Sequence, residues 1–155
     1  MSIYQELLSR ERDGQPIKVG VVGAGQMGFG LISQISRIPG MEVRGICDVN
    51  IEAAERASSY YQSKLTKKHP VLVSSDYRKV IQSDEVEVIV DATGVPEVGA
   101  NISLEALISR KHLVLLNVEV DITIGSIMHN LFTSAGLVYT GSAGDEPAAT
   151  LELYE

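Results

Sequence analysis

Ile17-Lys18-Val19-Gly20-Val21-Val22-Gly23-Ala24-Gly25-Gln26-Met27-Gly28 sets a strand-like apolar run directly against a glycine-rich turn. A G-x-G-x-x-G spacing alone is weak, because glycines fall into that register by chance. Here the glycines follow a strand, open a helical pattern, and are followed twenty residues later by Asp48, at the end of a second strand-like run. In that context each glycine has a task. Gly23 lets the chain turn tightly, Gly25 lets the backbone approach a pyrophosphate, and Gly28 lets the new helix pack closely on the strand. Free N–H groups at the helix start, with the positive end of the helix dipole, then hold phosphates. The stretch predicts a dinucleotide site, with Gly23, Gly25, Gln26, Met27 and Gly28 at the pyrophosphate.

Strand and helix signals alternate on both sides of it. Upstream, Ile3, Tyr4, Leu7 and Leu8 form an i, i+3, i+4 stripe that predicts a short amphipathic helix ending at Gly14. Downstream, a helix over 26–38 would carry Met27, Leu31, Ile35 and Ile38 toward a sheet and close at Pro39-Gly40. A strand over 41–47 leads to Asn50, which caps a helix over 51–61. Further strands are expected at 71–73, 86–90, 112–116 and 137–140, with helices at 77–82, 98–109 and 122–135 between them. The stretch 147–155 begins like another helix, with Pro147 in its first turn and no C-cap at its end. Six strands alternating with helices predict a doubly wound α/β parallel sheet of the Rossmann type, in the order 3-2-1-4-5-6, with right-handed crossovers. Residues 1–16 form a helical lead-in and residues 17–155 the dinucleotide-binding domain.

Composition narrows the partners. A net charge of −7 disfavours nucleic acid, which needs a basic face. The one basic cluster, Lys64, Lys67 and Lys68, reads as a solvated loop or helix end. Cys47 is the only cysteine, so neither an intrachain disulfide nor a cysteine-based metal site can form. It sits within an apolar strand pattern and reads as a small buried hydrophobe. The N-terminus has no signal-peptide core and no long apolar run occurs, so a cytoplasmic protein without a membrane partner is expected.

The segments that end the strands hold the chemistry-bearing residues. Asp48 can accept both adenosine ribose hydroxyls and would repel a 2′-phosphate, which favours NAD over NADP. Arg44 and Arg56 lie close enough in sequence to serve such a phosphate instead. Ala92, Thr93 and Gly94 follow strand four; their small size suits either the middle of a bound cofactor or a plain turn. Asn117 and Glu119 follow strand five and would face the nicotinamide end, with Asp121 capping the next helix. Asp145 and Glu146 open the last helical stretch, as dipole-stabilising charges or as a carboxylate pair near hydride transfer. His69, His112 and His129 form no cluster, and no metal-ligand spacing or Ser/His/Asp arrangement is legible.

Four segments together resemble one family: Val21-Val22-Gly23-Ala24-Gly25 with its lead-in Gly14-Gln15-Pro16-Ile17, Asp91-Ala92-Thr93-Gly94-Val95-Pro96, Asn117-Val118-Glu119-Val120-Asp121, and Gly144-Asp145-Glu146-Pro147-Ala148. The chain resembles the N-terminal domain of homoserine-dehydrogenase-like oxidoreductases, including the 1-deoxy-D-xylulose 5-phosphate reductoisomerase-like branch. That resemblance implies a nicotinamide-dependent enzyme whose complete chain is longer. A second domain would supply much of the substrate site and the contacts of a homo-oligomer. Glu119, Asp145 and Glu146 are the catalytic candidates. True homoserine dehydrogenases have a lysine directly after the asparagine ending strand five, where this chain has Val118; this points away from homoserine as substrate. The reductoisomerase-like branch is associated with NADPH, so the cofactor is left as NAD(P).

The expectation is therefore the cofactor domain of an NAD(P)-dependent oxidoreductase acting on a small polar or phosphorylated substrate, inactive as this fragment alone. The alternatives are a non-catalytic NAD(H)-sensing module and an S-adenosylmethionine-binding domain, which also uses a glycine loop and an acid after strand two.

Overall fold

The computed structural model describes residues 2–142. In chain order the elements are α1 (Ile3–Arg12), β1 (Ile17–Val22), α2 (Gln26–Ile35), β2 (Met41–Cys47), α3 (Ile51–Lys64), β3 (Leu72–Ser74), α4 (Tyr77–Ile81), β4 (Val88–Asp91), α5 (Pro96–Ile108), β5 (His112–Leu115), α6 (Val118–Ser134) and β6 (Tyr139–Gly141). The six strands form one all-parallel sheet in the order β3-β2-β1-β4-β5-β6. The order reverses between β1 and β4, and this opens a crevice at their carboxyl ends. Both the order and the helical lead-in agree with the sequence reading.

The sheet is buried on both faces, which is why its central strands read as near-continuous apolar runs. On one face Val19, Val21, Val43 and Ile46 pack with Ile32 and Ile35 of α2 and with Ala54, Ala57 and Tyr61 of α3. On the other, Ile89, Leu113 and Leu115 pack with Val80 and Ile81 of α4, Ile102 and Ala106 of α5, and Met128 and Phe132 of α6. Gly20 and Gly45 stand opposite each other, just past a bulge in the β1–β2 register. Added Cβ atoms there would meet Val80 at 2.9 and 2.6 Å, so the missing side chains let α4 seat on the sheet.

Three expectations are corrected. The apolar face of α2 is Gly28, Ile32 and Ile35, an i, i+4, i+7 row, while Met27 is 65% exposed. Met27 lies in the first turn, beyond the rim of the sheet. The α2 helix also ends at Ile35, and tighter i→i−3 bonds from Arg37 to Gln34 and Ile38 to Ile35 lead into Pro39. Finally, α6 begins at Val118, with Asn117 in the capping position, so Asp121 lies inside its first turn and is not a cap.

The α1 helix carries a capping box between Ser2 and Gln5 but has no fully buried residue. A 2.6 Å hydrogen bond from the Gly40 N–H to the Glu11 carboxylate ties it to the domain. No described helix is long and apolar enough to cross a membrane.

Candidate functional site

The crevice is built from the turns that end β1, β2, β4 and β5. After β1, Gly23 adopts a φ of +101°, and a Cβ there would lie 2.6 Å from the Ala92 carbonyl oxygen. Only glycine meets both demands. Gly28 is held against the same turn, because its Cβ would overlap the Gly23 carbonyl. The loops after β1 and β4 are thus in backbone contact. Gly25, by contrast, faces open space. It caps α2 with no side chain to occupy the helix's first N–H groups, and no acid stands in that first turn. The positive end of α2 is therefore left available to an anion.

Asp48 closes this loop from the β2 side. One carboxylate oxygen accepts from the Ala24 N–H at 2.7 Å and the other from the Asn50 N–H at 2.8 Å. A carboxylate offers about four acceptor positions, so this leaves capacity for further hydroxyl donors. Asn50 in turn caps α3 by accepting from the Glu52 N–H. Arg44 is not free for an anion beside Asp48: its guanidinium is 2.7 Å from Glu42 and 3.6 Å from Glu85.

On the other side, a buried polar cluster ties β4 to β5. Asp91 is fully buried at the end of β4 and accepts from the Thr93 N–H at 2.9 Å and the Thr93 hydroxyl at 2.7 Å. The Asn117 side-chain amide, also fully buried, donates to Asp91 at 3.3 Å and to the Val95 carbonyl at 3.2 Å. Its Oδ1 has no partner among the described residues. The amide orientation follows from its neighbours, since turning Oδ1 inward would set it against the Asp91 carboxylate. Gly99 makes room for the pair, because a Cβ there would lie 2.5 Å from Asp91. Sequence reasoning names Asp91 only as the head of the Asp91–Pro96 segment and gives it no role of its own. The available signal was an acid terminating an apolar, β-branched strand.

Ala92, Thr93 and Gly94 line the turn between these two halves, half-buried to exposed. Glu119 is exposed on the first turn of α6, and its side chain makes no hydrogen bond or ion pair among the described residues. The structure thus brings Gly23, Gly28, Asp48, Thr93 and Asn117 into one connected rim but does not join Glu119 to it. Asp145 and Glu146 lie outside the described residues. Burial pushes the Tyr139 hydroxyl on β6 well up from its ordinary pKa, and the charges of Asp121 and Asp91 add to the effect.

The remaining candidates are structural. The His69 ring contacts the Tyr61 hydroxyl at 3.2 Å, and His112 accepts from the Val138 N–H at 3.0 Å. Cys47 is buried, as expected. Burial, reinforced by Asp48 and Asp76, pushes its thiol up to about 12. No cluster of His, Cys, Asp and Glu suited to a metal ion occurs among the described residues.

Sheet order, switch point and glycine loop define a Rossmann-type α/β domain. More particularly, the chain belongs to the family described as dihydrodipicolinate reductase, N-terminus, whose model matches residues 17–116. A glycosyl hydrolase family 109 protein of Shewanella sp. (strain W3-18-1) is 27% identical over 99 residues, covering 62% of this chain and 21% of the relative. The chain thus spans about a fifth of the length of the curated relatives it matches. Among solved structures, myo-inositol dehydrogenase from Lactobacillus casei, in complex with NAD(H) and myo-inositol, superposes with a TM-score of 0.69 at 20% identity. That likeness covers 90% of this chain and 41% of the other. A homoserine dehydrogenase from Thiobacillus denitrificans gives a TM-score of 0.64 at 21% identity, covering 79% and 28%. At these identities the likeness is one of fold.

Proposed function

We propose that this chain is the cofactor-binding domain of an NAD(P)-dependent oxidoreductase. The observation that carries the reading is the coupling of an uncapped, acid-free helix start at Gly25 to a carboxylate at Asp48 through the Ala24 N–H. This arrangement suits a ligand with an anionic centre and a vicinal diol to one side of it. Family membership supports the same reading.

In this reading Gly23, Gly25, Gln26, Met27 and Gly28 hold the pyrophosphate, and Asp48 takes the adenosine ribose. Ala92, Thr93 and Gly94 line the middle of the cofactor. Asn117 and Glu119 border the nicotinamide. Asp145 and Glu146 stand near the substrate. The bound nicotinamide supplies or accepts the hydride; the protein's part is to orient it and to hold charge around it.

The finer assignment is to homoserine-dehydrogenase-like enzymes of the reductoisomerase-like branch, with a small polar or phosphorylated substrate. It rests on the segments ending β4 and β5 and on Gly144–Ala148. In this proposal a further domain completes the substrate site and the homo-oligomer, and residues 1–155 alone bind nucleotide without turnover. Calorimetric titration with NAD, NADP and S-adenosylmethionine tests the reading: a dinucleotide should bind and S-adenosylmethionine should not. Reductase activity from residues 1–155 alone would contradict the proposed division of labour.

A further inference from the structure

A cleft of about 660 Å³ opens at the opposite end of the strands, where β1 and β2 begin, between the chain that follows α2 and the chain that follows α3. Six Lys and Arg side chains line it, against the two carboxylates of Glu11 and Glu42. Two of the cations are already engaged: Lys18 lies 3.2 Å from Glu85, and Arg44 lies 2.7 Å from Glu42. Glu11 is occupied by the Gly40 N–H. Arg37, Lys64, Lys67 and Lys68 remain, all exposed and without a carboxylate partner among the described residues. In sequence the three lysines read as a solvated run. The fold adds Arg37 from a separate segment and sets all four around one concavity.

Tyr60, next to the lining residue Tyr61, lies near two of these cations. Its hydroxyl pKa is lowered, first by the hydrogen bond from Ser33 at 3.2 Å and then by the positive charges of Lys64 and Arg37. The Lys64 ammonium also sits 5.0 Å over the ring of Tyr60, which stands outside the cleft lining, so its charge stays unneutralised beside the cleft.

We propose that this cleft is a second anion site, for a small molecule carrying two or more phosphate or carboxylate groups. Its volume falls in the ordinary range for small-molecule sites. Four unneutralised cations in a chain of net charge −7 concentrate a local positive field against the overall one. The same net charge disfavours an extended nucleic acid at this face. This inference stands apart from the dinucleotide crevice, which lies at the other end of the strands.

Tripolyphosphate titrated into the isotope-labelled 155-residue chain, with NADH present and absent, tests it. Amide shifts should saturate at Arg37 and at residues 64–68 whether or not NADH is present. The double variant Arg37→Ala/Lys67→Ala should weaken this binding by at least about tenfold while NADH affinity stays within about twofold. The control Lys79→Ala, on α4, should change neither. Shifts confined to residues 23–28, no saturation, or an equal loss in the Lys79→Ala control would overturn the proposal. Failure of the dinucleotide reading would look different: NADH would leave residues 23–28 unmoved while tripolyphosphate still titrated the cleft.

Discussion

The Asp48 carboxylate accepts a 2.7 Å hydrogen bond from the Ala24 N–H, so the end of β2 is fixed to the glycine loop that follows β1. The same side chain is thereby a structural tie and the proposed ribose ligand, and substitution should reveal both roles. Asp48→Ala should lower stability by about 1–2 kcal/mol, since two backbone donors lose a charged acceptor at a half-buried site. It should also weaken NAD more than NADP, because the repulsion of a 2′-phosphate disappears with the carboxylate. Thermal denaturation and paired titrations measure the two effects; equal losses for both cofactors would sink the ribose assignment.

Gly28 and Gly25 separate packing from ligand access. Gly28→Ala should destabilise the domain by roughly 1–3 kcal/mol, because its Cβ meets the Gly23 carbonyl and the α2 start must shift. Gly25→Ala should change stability by no more than about 0.5 kcal/mol, given open space and a φ of −68°. It should nonetheless weaken dinucleotide binding, since the new methyl group stands where the phosphates would approach. Unaltered binding in folded Gly25→Ala would move the pyrophosphate elsewhere.

The buried Asp91–Asn117 pair should be sensitive to charge. Asn117→Ala should cost about 1–3 kcal/mol, as a buried carboxylate loses an amide donor. Asn117→Asp sets two carboxylates against each other, which raises the pKa of one of them. A carboxyl group with a raised folded pKa stabilises the protein at low pH and loses that contribution as pH rises. Asn117→Asp should therefore be closer to wild type at about pH 5 than at about pH 8. Denaturant midpoints at the two values decide the matter, and a pH-independent loss would contradict the pairing.

Cys47 makes a prediction about reactivity. Its folded thiol is pushed up to about 12, by burial first and by Asp48 and Asp76 after it. An unfolded thiol titrates near about 8.5, so at about pH 8 the native chain should react slowly with a disulfide reagent and release its thiol only on unfolding. Since the folded pKa is the higher one, the associated stability is whole below the unfolded value and falls as pH climbs toward the folded one. The Cys47→Ala variant should show a shallower alkaline decline. Rapid native labelling would show that the strand opens more readily than its burial implies.

The glycine loop, the strand order and the Asn50 cap were legible because each is a local signal: a backbone geometry, a run of apolar residues, a side-chain acceptor. Met27 and Asp121 were misplaced because helix faces and helix starts depend on where the sheet ends, which no local window records. The tie between Asp91 and Asn117 was hidden for a related reason. The two residues stand far apart in sequence and meet only once β4 and β5 pair. Lys64, Lys67 and Lys68 are exposed at a helix end and loop, as read from the sequence, but their gathering with Arg37 needs the ends of α2 and α3 to be brought together, which charge counting does not record.

The central claim is that the loop from Gly23 to Gly28, joined to Asp48, binds a nicotinamide dinucleotide. Amide-shift mapping of the 155-residue chain during titration with NADH tests it most directly. Saturable one-to-one binding with the largest shifts at residues 23–28, Asp48 and Thr93 is the predicted result. A folded chain that binds neither NAD(H) nor NADP(H), or that binds them with this loop unmoved, would contradict it.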